Sequence, residues 1–133
     1  MPKTILIQDP DALISLDLAQ TVLEAWPGAS VILCREAGQV LALLSGGQVP
    51  DIVILRQSMR SARAAGLAGP VENTHVKVLL TGADDDEALM IAAVGWRALD
   101  MPFTAMQVRA VLQDACPEPD IRAESHCNAF GLG

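Results

Sequence analysis

No stretch of this 133-residue chain stays apolar for the roughly 18 positions that a membrane-spanning helix requires, although 51% of its residues are hydrophobic. The apolar part of the opening MPKTILIQDPD is far too short for a signal peptide and runs directly into carboxylates. A soluble, cytoplasmic protein with no membrane contact is expected. Positive charge is scarce as well: 9 Lys and Arg stand against 16 Asp and Glu, for a formal charge of −7. That balance argues against direct nucleic-acid binding, which needs a net basic face to meet phosphates. Cysteine is sparse and odd in number. Cys34, Cys116 and Cys127 lack metal-ligand spacing and fit reduced thiols better than a disulfide framework. Cys34, inside an apolar run, reads as a small core residue. His75 and His126 have no partner at ligand spacing. With no nucleophile–base pair and no metal cluster, neither an enzyme nor a cofactor is expected.

What is present is an alternation of strand and helix signals in a chain long enough for one domain with a real core. Short apolar, β-branched runs at 4–8, 30–34, 51–55 and 76–82 read as buried strands, with a weaker fifth at 97–101. Between them, 11–26 carries Ile14, Leu18 and Val22 on one helical stripe, and 36–47 ends on a glycine pair. A helix is expected over 84–95, its first turn acidic and so matched to the helix dipole. Another is expected over 104–115, where Thr104 and Gln107 have capping-box spacing. Strands separated by helices imply a parallel sheet covered on both faces, a five-stranded three-layer α/β sandwich. The 57–75 segment has room for only a short helix around 60–65 before Gly66, Gly69 and Pro70. From Cys116 the chain is rich in Pro, Gly and polar residues without period, so a folded domain over 1–115 and a mobile tail over 116–133 are expected.

In an open parallel α/β sheet, ligands meet the carboxyl ends of the strands. Those ends carry Asp9, Pro10 and Asp11 after the first strand, Arg56 after the third, Thr81 after the fourth, and Met101-Pro102 after the fifth. Taken in order, ILIQDPDAL, PDIVILR, VLLTG and LDMPFTAMQV resemble the receiver domains of response regulators, over roughly residues 3–115. The resemblance implies a flavodoxin-like fold with strand order 2-1-3-4-5. It also implies an acidic pair for Mg²⁺ after the first strand, an acceptor aspartate after the third, Thr or Ser after the fourth and a lysine after the fifth. This chain keeps Asp9 and Thr81. It has Pro10 for the second acid, Arg56 for the acceptor, Met101 for the lysine and Ala98 for the aromatic switch residue. A degenerate receiver, or pseudo-receiver, is therefore expected. A guanidinium stays protonated and cannot attack phosphorus. One carboxylate beside a fixed positive charge is also a poor Mg²⁺ site.

Arg56 is expected to pair with Asp9, and with Asp11 if it approaches; the alternative is a guanidinium reaching out to solvent alone. Thr81 is read as a loop-ordering hydroxyl and Asp84, Asp85 and Asp86 as a solvated helix start. Arg56, Arg60 and Arg63 are three cations near the crevice, more in keeping with solvated surface than with an anion pocket. The 84–95 segment has no charge after Glu87, so a helix there exposes an apolar side. Leu89, Ala92, Ala98 and Met106 are the candidate contact surface, and the resemblance places docking and dimerisation on that face. The expectation is a phosphorylation-independent module of a bacterial-type two-component pathway. Its partner would be another signalling protein, an output domain or a second copy. The alternative is a non-covalent sensor of a small anion or metabolite held in the crevice around Arg56 and Thr81.

Overall fold

The computed structural model describes residues 3–67, 69, 76–99 and 104–115. Five strands, β1 (Thr4–Gln8), β2 (Ser30–Cys34), β3 (Ile52–Leu55), β4 (Lys77–Leu80) and β5 (Arg97–Ala98), form one parallel sheet in the order β2-β1-β3-β4-β5. Among the described residues, α1 (Ala12–Ala25), α2 (Ala37–Ser45), α3 (Met59–Ala64), α4 (Ala88–Ala93) and α5 (Ala105–Ala115) flank the sheet. The expected order and layering are both observed.

β3 is apolar throughout, and β1 and β4 are apolar but for Thr4, Gln8 and Lys77 at their ends, because both faces of these central strands are buried. Alternation along each strand divides the core in two. Leu6, Val53, Leu55, Val78 and Leu80 pack with Val40, Met59, Ile91 and Trp96 on one side. Ile5, Ile7, Ile52, Ile54 and Leu79 pack with Leu18, Val22, Val108 and Leu112 on the other. Cys34 is buried and free, and burial pushes its thiol pKa up, as suits an inert core residue. Trp26 closes the second layer. Its indole Nε1 is the one buried side-chain N or O atom without a partner among the described residues.

Local signals place the helix ends. Asp11 caps α1, accepting from the N–H groups of Leu13 and Ile14. Glu36 and Gln39 form a reciprocal box at α2, and Gly47 leaves that helix at φ 97°, a conformation that favours glycine. Thr104 and Gln107 bond reciprocally at the start of α5.

Two expectations are corrected. The helix anticipated over 84–95 is a 3₁₀ turn at Asp85–Glu87 followed by the six residues of α4. The turn tightens because the Glu87 N–H donates to the Asp84 carbonyl three residues back, while the Glu87 side chain is drawn elsewhere. The described part of the fifth strand is Arg97–Ala98 rather than 97–101. Asp100, Met101, His75 and the 116–133 segment lie outside the described residues.

Candidate functional site

Register brings the strand ends together. Gln8 pairs with Leu55, and Leu55 with Leu80, so Asp9, Arg56 and Thr81 leave neighbouring strands at one level. The ladders continue one step further. Asp9 N–H donates to the Cys34 carbonyl, Arg56 N–H to that of Gln8, and Thr81 N–H to that of Leu55.

Asp9 is 1% exposed, and both of its carboxylate oxygens are engaged. Arg56 Nη1 donates to Oδ2 at 2.9 Å, and the Asp11 backbone N–H donates to Oδ1 at 2.7 Å. The Arg56 side chain is 34% exposed, so water reaches part of it. Arg56 is thus paired, not free in solvent. Asp11 enters only through its backbone: its carboxylate turns away to cap α1, which corrects its expected place beside Arg56. Asn caps as well as Asp, so Asp11→Asn is expected to leave stability within a few tenths of a kcal/mol, and Asp11→Ala to cost about 1 kcal/mol, by urea unfolding. An equal loss in both variants would mean that the Asp11 charge does matter.

A polar chain fills the neighbouring space. Gln8 Nε2 donates to the Arg35 carbonyl, Gln57 Nε2 donates to Gln8 Oε1 at 3.0 Å, and the Ser61 hydroxyl donates to Gln57 Oε1. Thr81 is buried, its hydroxyl donating to the Leu55 carbonyl at 3.3 Å. Gly82 follows it in a tight place: a Cβ there would lie 3.1 Å from Gln57 N and 3.3 Å from the Arg56 carbonyl carbon, so that backbone would have to give by a few tenths of an ångström. Met101 lies outside the described residues.

These residues do not fit a divalent cation. Mg²⁺ needs several hard oxygens, whereas Asp9 has given one to a guanidinium and the other to a backbone amide. Among the described residues no group of three or more His, Cys, Asp or Glu is placed to hold a metal ion.

The three arginines near the crevice differ: Arg63 is exposed at the surface as expected. Arg56 pairs with Asp9, while Arg60 meets Asp86 at 2.8 Å, Asp84 at 3.4 Å and Glu87 at 3.5 Å. The acidic turn is therefore tied to α3, though Asp84 and Asp86 remain exposed at the surface as expected. The hydrogen bond to Arg60 raises that arginine's pKa further and lowers that of Asp86.

Glu87 was not among the residues singled out from the sequence, yet its side chain is fully buried. Its carboxylate accepts from Met59 N–H at 2.9 Å, Arg60 N–H at 3.0 Å and Asp84 N–H at 3.1 Å. Burial works against its charge, but these three amides and the Arg60 guanidinium outweigh it and hold the carboxyl below the usual glutamate range. The only sequence-level hint is the Asp84–Glu87 spacing of a capping box.

The candidate contact residues all lie on the surface. Leu89 is 86% exposed, Met106 is 80% exposed, and Ala92 and Ala98 are exposed too. Within α4 only Ile91 is buried, so the apolar outer side expected from the sequence is open. A second apolar strip, Leu13, Leu16 and Leu23 on α1, is also exposed.

No family model matches the chain, and no curated protein matches it. Solved structures do. Chemotaxis response regulator CheY4 of Vibrio cholerae is similar over 86% of this chain and 99% of its own, with 19% identity and a TM-score of 0.64. A response regulator receiver protein from Burkholderia phymatum matches over 86% and 94%, with 20% identity and a TM-score of 0.66. The signal receiver domain of a putative Luxo repressor protein from Vibrio parahaemolyticus matches over 98% and 99%, with 12% identity and a TM-score of 0.67. Together with the strand order 2-1-3-4-5, these likenesses show that the chain has the flavodoxin-like fold of CheY-like response-regulator receiver domains.

Proposed function

We propose that the chain is a receiver-like signalling module that works through protein–protein contact without aspartyl phosphorylation. The observation that carries this reading is the buried Asp9–Arg56 pair at the ends of β1 and β3. Phosphoryl transfer to a carboxylate needs an acceptor in line with the donor and cations on the equatorial oxygens. β3 ends here on a guanidinium that cannot accept the group. The carboxylate left on β1 is already neutralised. Without a covalent trigger, the module presents its surface constitutively. That surface is the apolar side of α4 with β5 and α5, where Leu89 and Met106 stand out to solvent. The partner is another signalling protein, an output domain or a second copy. The protein is soluble and catalyses no reaction.

The runner-up, a sensor of a small anion, draws support from the exposed third of Arg56, which leaves donors for a ligand. Against it, the Thr81 hydroxyl is engaged by Leu55, and Arg60 by carboxylates.

One set of samples tests both readings. After incubation with Mg²⁺ and acetyl phosphate, intact mass is expected to show no phosphoryl adduct; an adduct labile to base and to hydroxylamine, as an acyl phosphate is, would overturn the phosphorylation-independent reading. Titration with inorganic phosphate is expected to give no saturable heat, and a saturable response lost in Arg56→Ala favours the sensor. Sedimentation of the wild type beside Leu89→Glu and Met106→Glu shows whether a second copy occupies the apolar face.

A further inference from the structure

We infer that Glu87 is an acid-releasable clasp that fastens the start of α4 to the start of α3 and so sets where the apolar face of α4 stands. The first N–H groups of any helix lack partners within it. In α3, Ser58 Oγ takes the amide of Ser61 and leaves those of Met59 and Arg60 open. Glu87 supplies one oxygen to each, reaching back across 28 and 27 residues, and the same carboxylate holds the Asp84 amide at the entry to its own turn. A single side chain therefore satisfies donors on both segments.

The clasp sits in a continuous path. Gly82 abuts the Arg56–Gln57 backbone, Glu87 follows five residues later, and Ile91 and Trp96 then anchor α4 in the core. The loop that carries Arg56 and the helix that carries Leu89 are thus held in one arrangement by a group that can lose its charge. The ion pairs reaching the clasp come from Arg60 on α3, which also binds Asp84 and Asp86 of the acidic turn; Asp85 is the remaining charge on that turn.

Release has a defined direction. The folded-state pKa of Glu87 lies below the usual glutamate range, so its contribution is complete above that range and is withdrawn as pH falls through the lower, folded value. Protonation puts a hydrogen on one of the two oxygens and removes the charge that all three amides share. The inference concerns the position of α4; only its consequence for docking rests on the proposed function.

The test is residue-resolved hydrogen exchange on the whole chain across pH, with Trp96 emission read in a Trp26→Phe background. In the wild type, protection at the Met59, Arg60 and Asp84 amides is expected to fall below the usual glutamate range while Leu6 and Ile54 stay protected. Trp96 emission should shift over the same window. Glu87→Gln keeps one acceptor oxygen and places an amide NH₂ where the other stood, so it is expected to expose at least the Arg60 amide at neutral pH, with exchange roughly tenfold faster or more, and to abolish the acid step.

Unchanged exchange in Glu87→Gln would defeat the clasp. So would loss of protection at these amides only in concert with Leu6 and Ile54, since the carboxylate would then be no more than part of global stability. If Glu87→Gln does not fold, the wild-type pH series alone decides between these outcomes. A phosphoryl adduct would defeat the proposed function and leave these exchange results untouched.

Discussion

Arg56→Ala is expected to destabilise the domain by about 2–3 kcal/mol, a fall in melting temperature of roughly 10 °C. The cost arises on the other side of the pair. Asp9 is almost completely buried, and truncating Arg56 leaves its Oδ2 without a partner and its charge without a counter-ion. Removing one member of a fully buried pair costs about 3–5 kcal/mol; the partial exposure of Arg56 lets water enter and lowers that figure. The Asp11 amide still holds Oδ1, so the carboxylate is not stripped bare. Asp9→Ala in the Arg56→Ala background is expected to cost much less than in the wild type, because the uncompensated charge leaves with it. A double-mutant cycle by urea unfolding measures the coupling, expected at about 1–2 kcal/mol. Additivity within about 0.3 kcal/mol would mean the pair is energetically idle. Arg56→Lys should recover part of the loss, since an ammonium supplies the charge without the planar fork.

Gly82→Val is expected to be comparably damaging for a different reason. A Cβ at position 82 would meet Gln57 N at 3.1 Å, Gln57 C at 3.2 Å and Arg56 C at 3.3 Å. Every one of these is a backbone atom, so no flexible side chain can turn aside. The β4–α4 connection must move off the β3–α3 connection, or Arg56 and Gln57 must shift. Overpacking of this kind typically costs about 1–3 kcal/mol, and the second methyl of valine places Gly82→Val above Gly82→Ala. Displacing Arg56 also weakens its bond to Asp9. Combined with Arg56→Ala, Gly82→Val should therefore cost less than the sum of the two. Full additivity in the unfolding midpoints would show that the glycine tolerates a side chain by moving away from Arg56.

Much of the fold was legible in the residues themselves. The β-branched runs of β1 and β3, the Leu18–Val22 stripe of α1 and the Gly46-Gly47 stop after α2 each follow from local periodicity and turn chemistry. The capping box at Thr104 was legible for the same reason: both partners lie within four residues. The break of the expected 84–95 helix was not. It depends on where the Glu87 side chain goes, and the groups that draw it, Met59 and Arg60, stand 28 and 27 residues earlier. Asp11 shows the converse. Proximity in sequence suggested a share in the crevice, yet the nearest open donors were those of its own helix.

By itself, the sequence determined a parallel sheet covered on both faces and a cation delivered at the end of its third strand. Burial on two sides demands uninterrupted apolar strands, and that demand is written in consecutive residues. Only the tertiary structure decided how charge is balanced there. Asp9 takes Arg56 from a neighbouring strand, Arg60 is claimed by the acidic turn, and Glu87 is buried at the head of α3. Partner choice falls as steeply with distance as a hydrogen bond does, and those distances exist only once the strands are in register.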